Sequence, residues 1–249
     1  MSTYSLLQVS QDQTIDRSSL EDASVVVRSV ARGDCARLHR ELFGILISGL
    51  AREDAEIFQA ELKRRDFPTD VVADQDLPQL HEPFTVQRFE VKGDVLLFTD
   101  FMGRIQTRPS TDLVFLAGGF LTQVEIKTDW EMHVKGPRST RGGAPTIEIE
   151  KHRWEEDELE FRLDFFFWAA PNRVRLALTG STAIFYQGQP LRLRHPDGLL
   201  RMMTDLLKLL PKERVTAGLR RDDARPYYPS VHCYEEEIRW HFYHLKSPA

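Results

Sequence analysis

Cysteine is almost missing from this chain. Cys35 and Cys233 are the only two, far apart and without the CxxC spacing of a zinc site or redox pair. That excludes a disulfide framework and favours a reducing compartment, so the expected location is cytoplasmic. Long apolar runs are lacking as well. Phe43–Ala51 and Phe165–Ala170 fall well short of the roughly 20 residues that a membrane helix needs, and Met1–Gln8 has neither the basic nor the apolar region of a signal peptide. Neither GxGxxG nor GxxxxGK[ST] stands between a strand and a helix: Gly49-Leu50-Ala51-Arg52 meets neither pattern, which disfavours a nucleotide fold. No membrane association and no cofactor are expected.

An excess of positive charge is also absent. The formal net charge is −5, and the imbalance sits in residues 1–77, where nine Lys/Arg face fourteen Asp/Glu; residues 78–249 carry twenty-four of each. An acidic surface with mixed charges repels duplex nucleic acid, so no nucleic-acid partner is expected. What the chain does hold is apolar side chains, 41% of 249 residues, enough for one large or two modest cores. The pattern changes near Pro78, and the reading is two domains, 1–77 and 78–249.

In the first, Tyr4–Val9 reads as a short strand, and Ser18 with Glu21 stands at capping-box spacing, predicting a helix start. Asp34 is the expected cap of a second helix running to Leu42. Ile45–Leu50, β-branched and bounded by glycines, reads as a central strand covered on both faces. Ala55, Phe58 and Leu62 then recur at helical spacing with acidic residues first and basic residues last, matching the helix dipole. Thr69–Ala73 completes a βαβ unit as a strand parallel to Ile45–Leu50.

After the Pro78–Pro83 linker, seven strands are expected: Thr85–Val91, Val95–Thr99, Arg104–Arg108, Leu113–Ile126, Leu159–Trp168, Arg173–Thr179 and Ala183–Gln187, with tight turns at Lys92–Asp94 and Phe101–Gly103. Between Lys127 and Asp157 the periodicity fails, and the segment reads as a loop insertion. Asp197 is the expected cap of a helix whose Leu199, Leu200, Met203, Leu206, Leu207 and Leu210 form one apolar face. Seven strands followed by an amphipathic helix are the plan of a pleckstrin-homology-like antiparallel barrel, with a sandwich as the alternative. The fold class expected is therefore α+β: a small βαβ-containing domain, a β-rich domain and two C-terminal helices.

The succession Leu163-Asp164-Phe165, Arg173-Val174-Arg175, the Leu199–Leu210 helix, Tyr228-Pro229-Ser230 and Glu235-Glu236-Glu237-Ile238-Arg239-Trp240 resembles the C-terminal part of an uncharacterised family of soluble bacterial proteins. A segment similar to Gly44–Ala55 belongs to the same likeness, which covers most of the chain apart from Lys127–Asp157. The resemblance implies an architecture and no catalytic residues.

Two constellations are candidate sites. Arg173, Arg175, Arg192 and Arg194 alternate along strands, so that with His195 they form a candidate anion-binding face near the helix at Asp197. Glu237, His241 and His244 share one stripe of the last helix and supply a His₂Glu zinc set, although the HExxH order is absent. Cys35 with His39, at helical spacing, and His232 beside Cys233 lack the orienting third group that a thiol nucleophile needs. The run Phe165–Trp168 places aromatics on both faces of a strand, so one face needs a cover such as the C-terminal helix or a second subunit. With no nucleophile elbow, phosphate loop or close metal set, the balance falls against an enzyme. It favours an interaction or regulatory module that binds a protein segment or a second copy in a homodimer, the alternative being a binder of, or an enzyme acting on, a small anionic ligand through the arginine-rich strand face.

Overall fold

The computed structural model describes residues 2–135, 146–168, 172–180 and 182–246. Its elements in chain order are β1 (Tyr4–Gln8), α1 (Arg17–Ser24), α2 (Cys35–Arg40), β2 (Ile45–Leu50), α3 (Arg52–Lys63), β3 (Thr69–Ala73), β4 (Phe84–Thr85), β5 (Arg88–Lys92), β6 (Val95–Thr99) and β7 (Ile105–Pro109). There follow β8 (Leu113–Lys135), β9 (Thr146–Phe167), β10 (Arg173–Leu178), β11 (Ile184–Tyr186), β12 (Gln189–Leu191), α4 (Asp197–Leu206) and α5 (Val231–Lys246). The class is α+β with three sheets.

The N-terminal sheet has the order β2-β1-β3, and β1 is antiparallel to both neighbours. Ile45–Leu50 is thus an edge strand. It runs parallel to Thr69–Ala73, as expected, but the two do not pair, because the more buried Tyr4–Gln8 strand lies between them. The helices cover one face: Leu20 and Ala23 of α1, Leu38 of α2, and Ala55, Phe58 and Leu62 of α3 bury together with Leu6, Leu46 and Leu50. The cap of α1 is Asp16 rather than Ser18. Its carboxylate accepts the Ser19 N–H at 2.9 Å and both flanking serine hydroxyls, which saturates the helix start two residues earlier. Neither Asp34 nor Asp197 makes a capping hydrogen bond.

The β-rich part is two sheets facing each other, not a barrel. One has the order β4-β10-β9-β8 and the other β12-β11-β5-β6-β7. Phe89, Leu96 and Phe98 of the second meet Leu116, Phe161, Leu163, Phe165, Val174 and Leu176 of the first in a shared core. A barrel needs the outer strands to join, and here short parallel pairings of β4 with β10 and of β5 with β11 start two separate sheets. The amphipathic helix α4 does seal one end, burying Leu199, Met202, Met203 and Leu206 in that core.

The Lys127–Asp157 segment is not a loop throughout. β8 and β9 pair through it as far as Lys135 opposite Thr146, and residues 136–145 lie outside the described ones. The β period is present in Val124, Ile126, Trp130, Met132 and Val134, and is masked by Thr128 and by the charges at Glu155-Glu156-Asp157. Nearer the body, the free edge of β8 is occupied. Thr216 N–H donates to Leu116 O, Tyr227 N–H to Phe120 O and Thr122 N–H to Tyr228 O, which blocks stray strand pairing.

The helix α5 lies on the outer face of β8 and β9. Tyr234 and Ile238 bury there with Phe115, Ala117, Leu121 and Phe166. Its other side reaches the N-terminal sheet, where Trp240 packs with Leu7, Ile45 and Leu77 and donates its indole N–H to Gln8 O at 2.6 Å. Gly44 makes this joint possible. It holds φ +89°, and a Cβ there would stand 2.4 Å from Trp240 Cγ. Gly44→Ala should therefore lower stability by about 2–4 kcal/mol. Gly49→Ala, at φ +83° with open space around it, should cost only about 1 kcal/mol. Denaturant unfolding of the two variants checks this, and equal losses would mean that the Trp240 joint is not tightly packed.

Candidate functional site

Asp164 sits near the C-terminal end of β9 among Leu163, Phe165 and Phe166, without solvent exposure. A buried carboxylate must be neutralised or ionically matched, and the register supplies the match: Asp164 lies opposite Arg175 on β10, with Arg173 two residues away on the same face. Arg175 Nε donates to Oδ1 at 2.7 Å, and Nη2 of both Arg173 and Arg175 donates to Oδ2 at 2.8 Å. Tyr234 of α5 adds its hydroxyl at 3.1 Å, and Glu235 accepts from Arg173 at 3.1 Å. Burial pushes the Asp164 carboxyl upward, but the hydrogen bond from Arg175 and the two guanidinium charges hold it below the usual carboxylate range. Burial and the Asp164 charge both push the Tyr234 phenol well up.

Two arginines therefore face two carboxylates, with no net charge left for an anion. Arg192, Arg194 and His195 are exposed on the turn before α4 and are joined by a bridge between Arg192 and His195. Leu191, Leu193 and Leu199 pack in the inter-sheet core with Val174 and Leu176, on the face of β10 opposite Arg173 and Arg175. The structure thus divides the expected arginine face in two, because alternation on β10 sends its arginines toward α5, while the Arg192–His195 turn leads into α4 on the other face of the sheet.

Of the Glu237, His241 and His244 stripe, the first two stay adjacent and His244 is drawn to the N-terminal sheet. Glu237 is buried, and its Oε1 accepts the Ala217 N–H at 2.8 Å and lies 3.7 Å from His241 Nε2. His244 Nε2 donates to Gln8 O at 3.3 Å, and its ring packs at a tilt against Trp240. Among the described residues no three His, Cys, Asp or Glu stand close enough to hold a metal ion. The thiols are equally occupied: Cys35 is buried against Leu20 O and Ala31 O, and burial raises Cys233 to about 11, away from thiolate chemistry.

What the arrangement does leave open is a groove of about 280 Å³ beside the ion network. Leu80 of the linker, Val114 of β8, Phe166 of β9, Trp168, and Phe242 and Leu245 of α5 line it. The linker is held in place by Arg173, whose Nη1 donates to His81 O at 3.2 Å, and by Arg239, whose Nε donates to Pro78 O at 3.2 Å. Phe166 is covered by Phe242, ring centroids 4.9 Å apart, so α5 does cap one face of the aromatic run. Trp168 remains 77% exposed at the rim. Asp164 is not a candidate in the sequence, and Trp168 enters there only as the end of the Phe165–Trp168 aromatic run. The available signal was a lone acid inside an apolar strand, which requires a cationic partner in register.

Compared with known protein families, curated proteins and solved structures, the chain matches none.

Two outcomes follow from the electrostatics. Asp164→Asn leaves two guanidinium groups without their buried counter-charge and should cost about 3–5 kcal/mol in urea unfolding, whereas Glu235→Gln, at the partly exposed edge, should cost less than about 1 kcal/mol. The second concerns Glu236 on the α5 side facing α2. Burial pushes its carboxyl up to about 7, with Glu41 adding to the rise and Arg239 and Arg37 opposing it, while His232 Nε2 lies 3.1 Å away. A carboxyl raised on folding binds its proton more tightly in the folded state. The chain should therefore lose stability as pH climbs from the ordinary carboxylate value to about 7, then level off. Glu236→Gln should remove that decline and gain about 2 kcal/mol at about pH 8, with little change at about pH 4. Thermal melts across this range provide the measurement.

Proposed function

We propose that the protein is a non-enzymatic interaction module whose groove beside α5 receives an apolar protein segment. One observation carries the reading: an apolar groove with an exposed tryptophan at its rim lies over a floor whose charges cancel. Apolar side chains enter such a site with little desolvation penalty, while an anionic ligand finds no unspent cation there. The buried ionisable groups of the network support the same view, since they satisfy one another instead of facing an open cleft where a substrate could be activated. Two free, buried cysteines fit action in a reducing compartment such as the cytoplasm.

Selection of displayed peptides on the full chain tests this. Enriched sequences should carry paired large apolar residues, and Trp168→Glu, at an exposed position that folding does not need, should weaken them at least about tenfold. Peptides whose binding ignores that change would remove the groove from consideration.

A further inference from the structure

Large apolar side chains that remain exposed are few and clustered. Among the described residues there are nine, and four of these, Val9, Val25, Val26 and Ile57, lie scattered over the N-terminal part. The other five occupy two places. Trp168 and Leu245 rim the groove, while Phe101 (66% exposed), Met102 (81%) and Ile105 (67%) form the tip of the β6–β7 hairpin. A concave apolar site and a convex apolar knob are thus both present on one chain. Since both stay exposed within one copy, the tip does not fill its own groove.

The knob is held ready. Asp100, itself buried, accepts the backbone N–H of Met102 at 2.9 Å and of Arg104 at 2.8 Å, and Arg104 Nε at 2.6 Å. Two backbone bonds, Gly103 N–H to Asp100 O and Asp100 N–H to Arg104 O, both 3.1 Å, close the turn, and Gly103 takes φ +78°. The tip is ordered before it meets anything, so little conformational entropy is lost on docking. Its adjacent cation, Arg104, is spent on Asp100, which gives the tip no attraction for an anionic lipid surface. The groove floor is likewise neutral, with Arg173 and Arg175 matched by Asp164 and Glu235. A neutral knob meets a neutral groove without stranding a charge on either side.

We infer that the occupant of the groove is the β6–β7 tip of a second copy, with Phe101 and Met102 entering between Trp168 and Leu245. The inference rests on the groove reading above. A contact this small is weak and reversible, with a dissociation constant on the order of 10–100 µM.

Sedimentation velocity of the full chain over a concentration series tests it. Wild type should associate, and Phe101→Ser combined with Met102→Ser should weaken association at least about tenfold, as should Trp168→Glu; all these positions are exposed, and melting curves confirm folding. The decisive arm mixes the two variants. The tip variant keeps an intact groove and the Trp168→Glu variant an intact tip, so the mixture should form one-to-one pairs although neither variant associates alone. A wild type that stays monomeric, association indifferent to the tip, a mixture that remains monomeric, or a tip that binds anionic vesicles in place of another copy each overturns the inference. Selected peptides separate the two failures. If they still enter the groove of a monomeric wild type, only the second-copy occupant is wrong; if Trp168→Glu alters neither peptide binding nor association, the groove itself is wrong.

Discussion

The structure depends on the neutralisation of Asp164. A carboxylate with no exposure in the apolar end of β9 is unstable unless opposite charge and hydrogen bonds reach it, and two arginines of β10 do so. That requirement fixes the β9–β10 register, since a slip of one residue would point Arg173 and Arg175 into the inter-sheet core. It fixes the seat of α5 as well, because Tyr234 and Glu235 complete the network. With α5 so placed, Trp240 meets Gly44 and Gln8, and Phe242 and Leu245 form one wall of the groove.

The four-stranded sheet is therefore used on both faces, for different purposes. One face packs on the five-stranded sheet and α4 with purely apolar contacts. The other carries the ion network, α5 and, beyond it, the N-terminal sheet. Close backbone approach tightens this second face. Tyr228 lies against Gly119 and Gly218 so closely that a Cβ at either would come within 3.0 Å of its ring, and its hydroxyl accepts the Gly218 N–H at 3.3 Å.

Much of the secondary structure was legible because it rests on local periodicity. Val95–Thr99 and the turns at Lys92–Asp94 and Phe101–Gly103 follow from β alternation and glycine placement, and the buried faces of α3 and α4 from helical spacing. What escaped was set by contacts distant in sequence. The place of β1 between β2 and β3, the two separate sheets in place of a barrel and the seating of α5 across both modules depend on which faces meet, and periodicity is silent on that. The alternation of the arginines is visible in the sequence but their counter-charge is not, since Asp164 lies nine and eleven residues earlier and only strand pairing joins them. Glu237, His241 and His244 share a helical stripe as spacing requires, yet neighbouring elements divide their hydrogen bonds between Ala217 and Gln8.

The seat of α5 bears on the order of assembly. Residues 8 and 240 meet through an indole hydrogen bond, and residues 164 and 234 through a phenol, so both halves of the molecule complete their surfaces with α5, which leaves the ribosome after β1 to β12. Until then the nascent polypeptide carries a charged aspartate between Leu163 and Phe165 on an uncovered sheet, and the closure of a loop this long makes the docking of α5 slow. The growing chain is thus open to misassociation at this face until α5 is made.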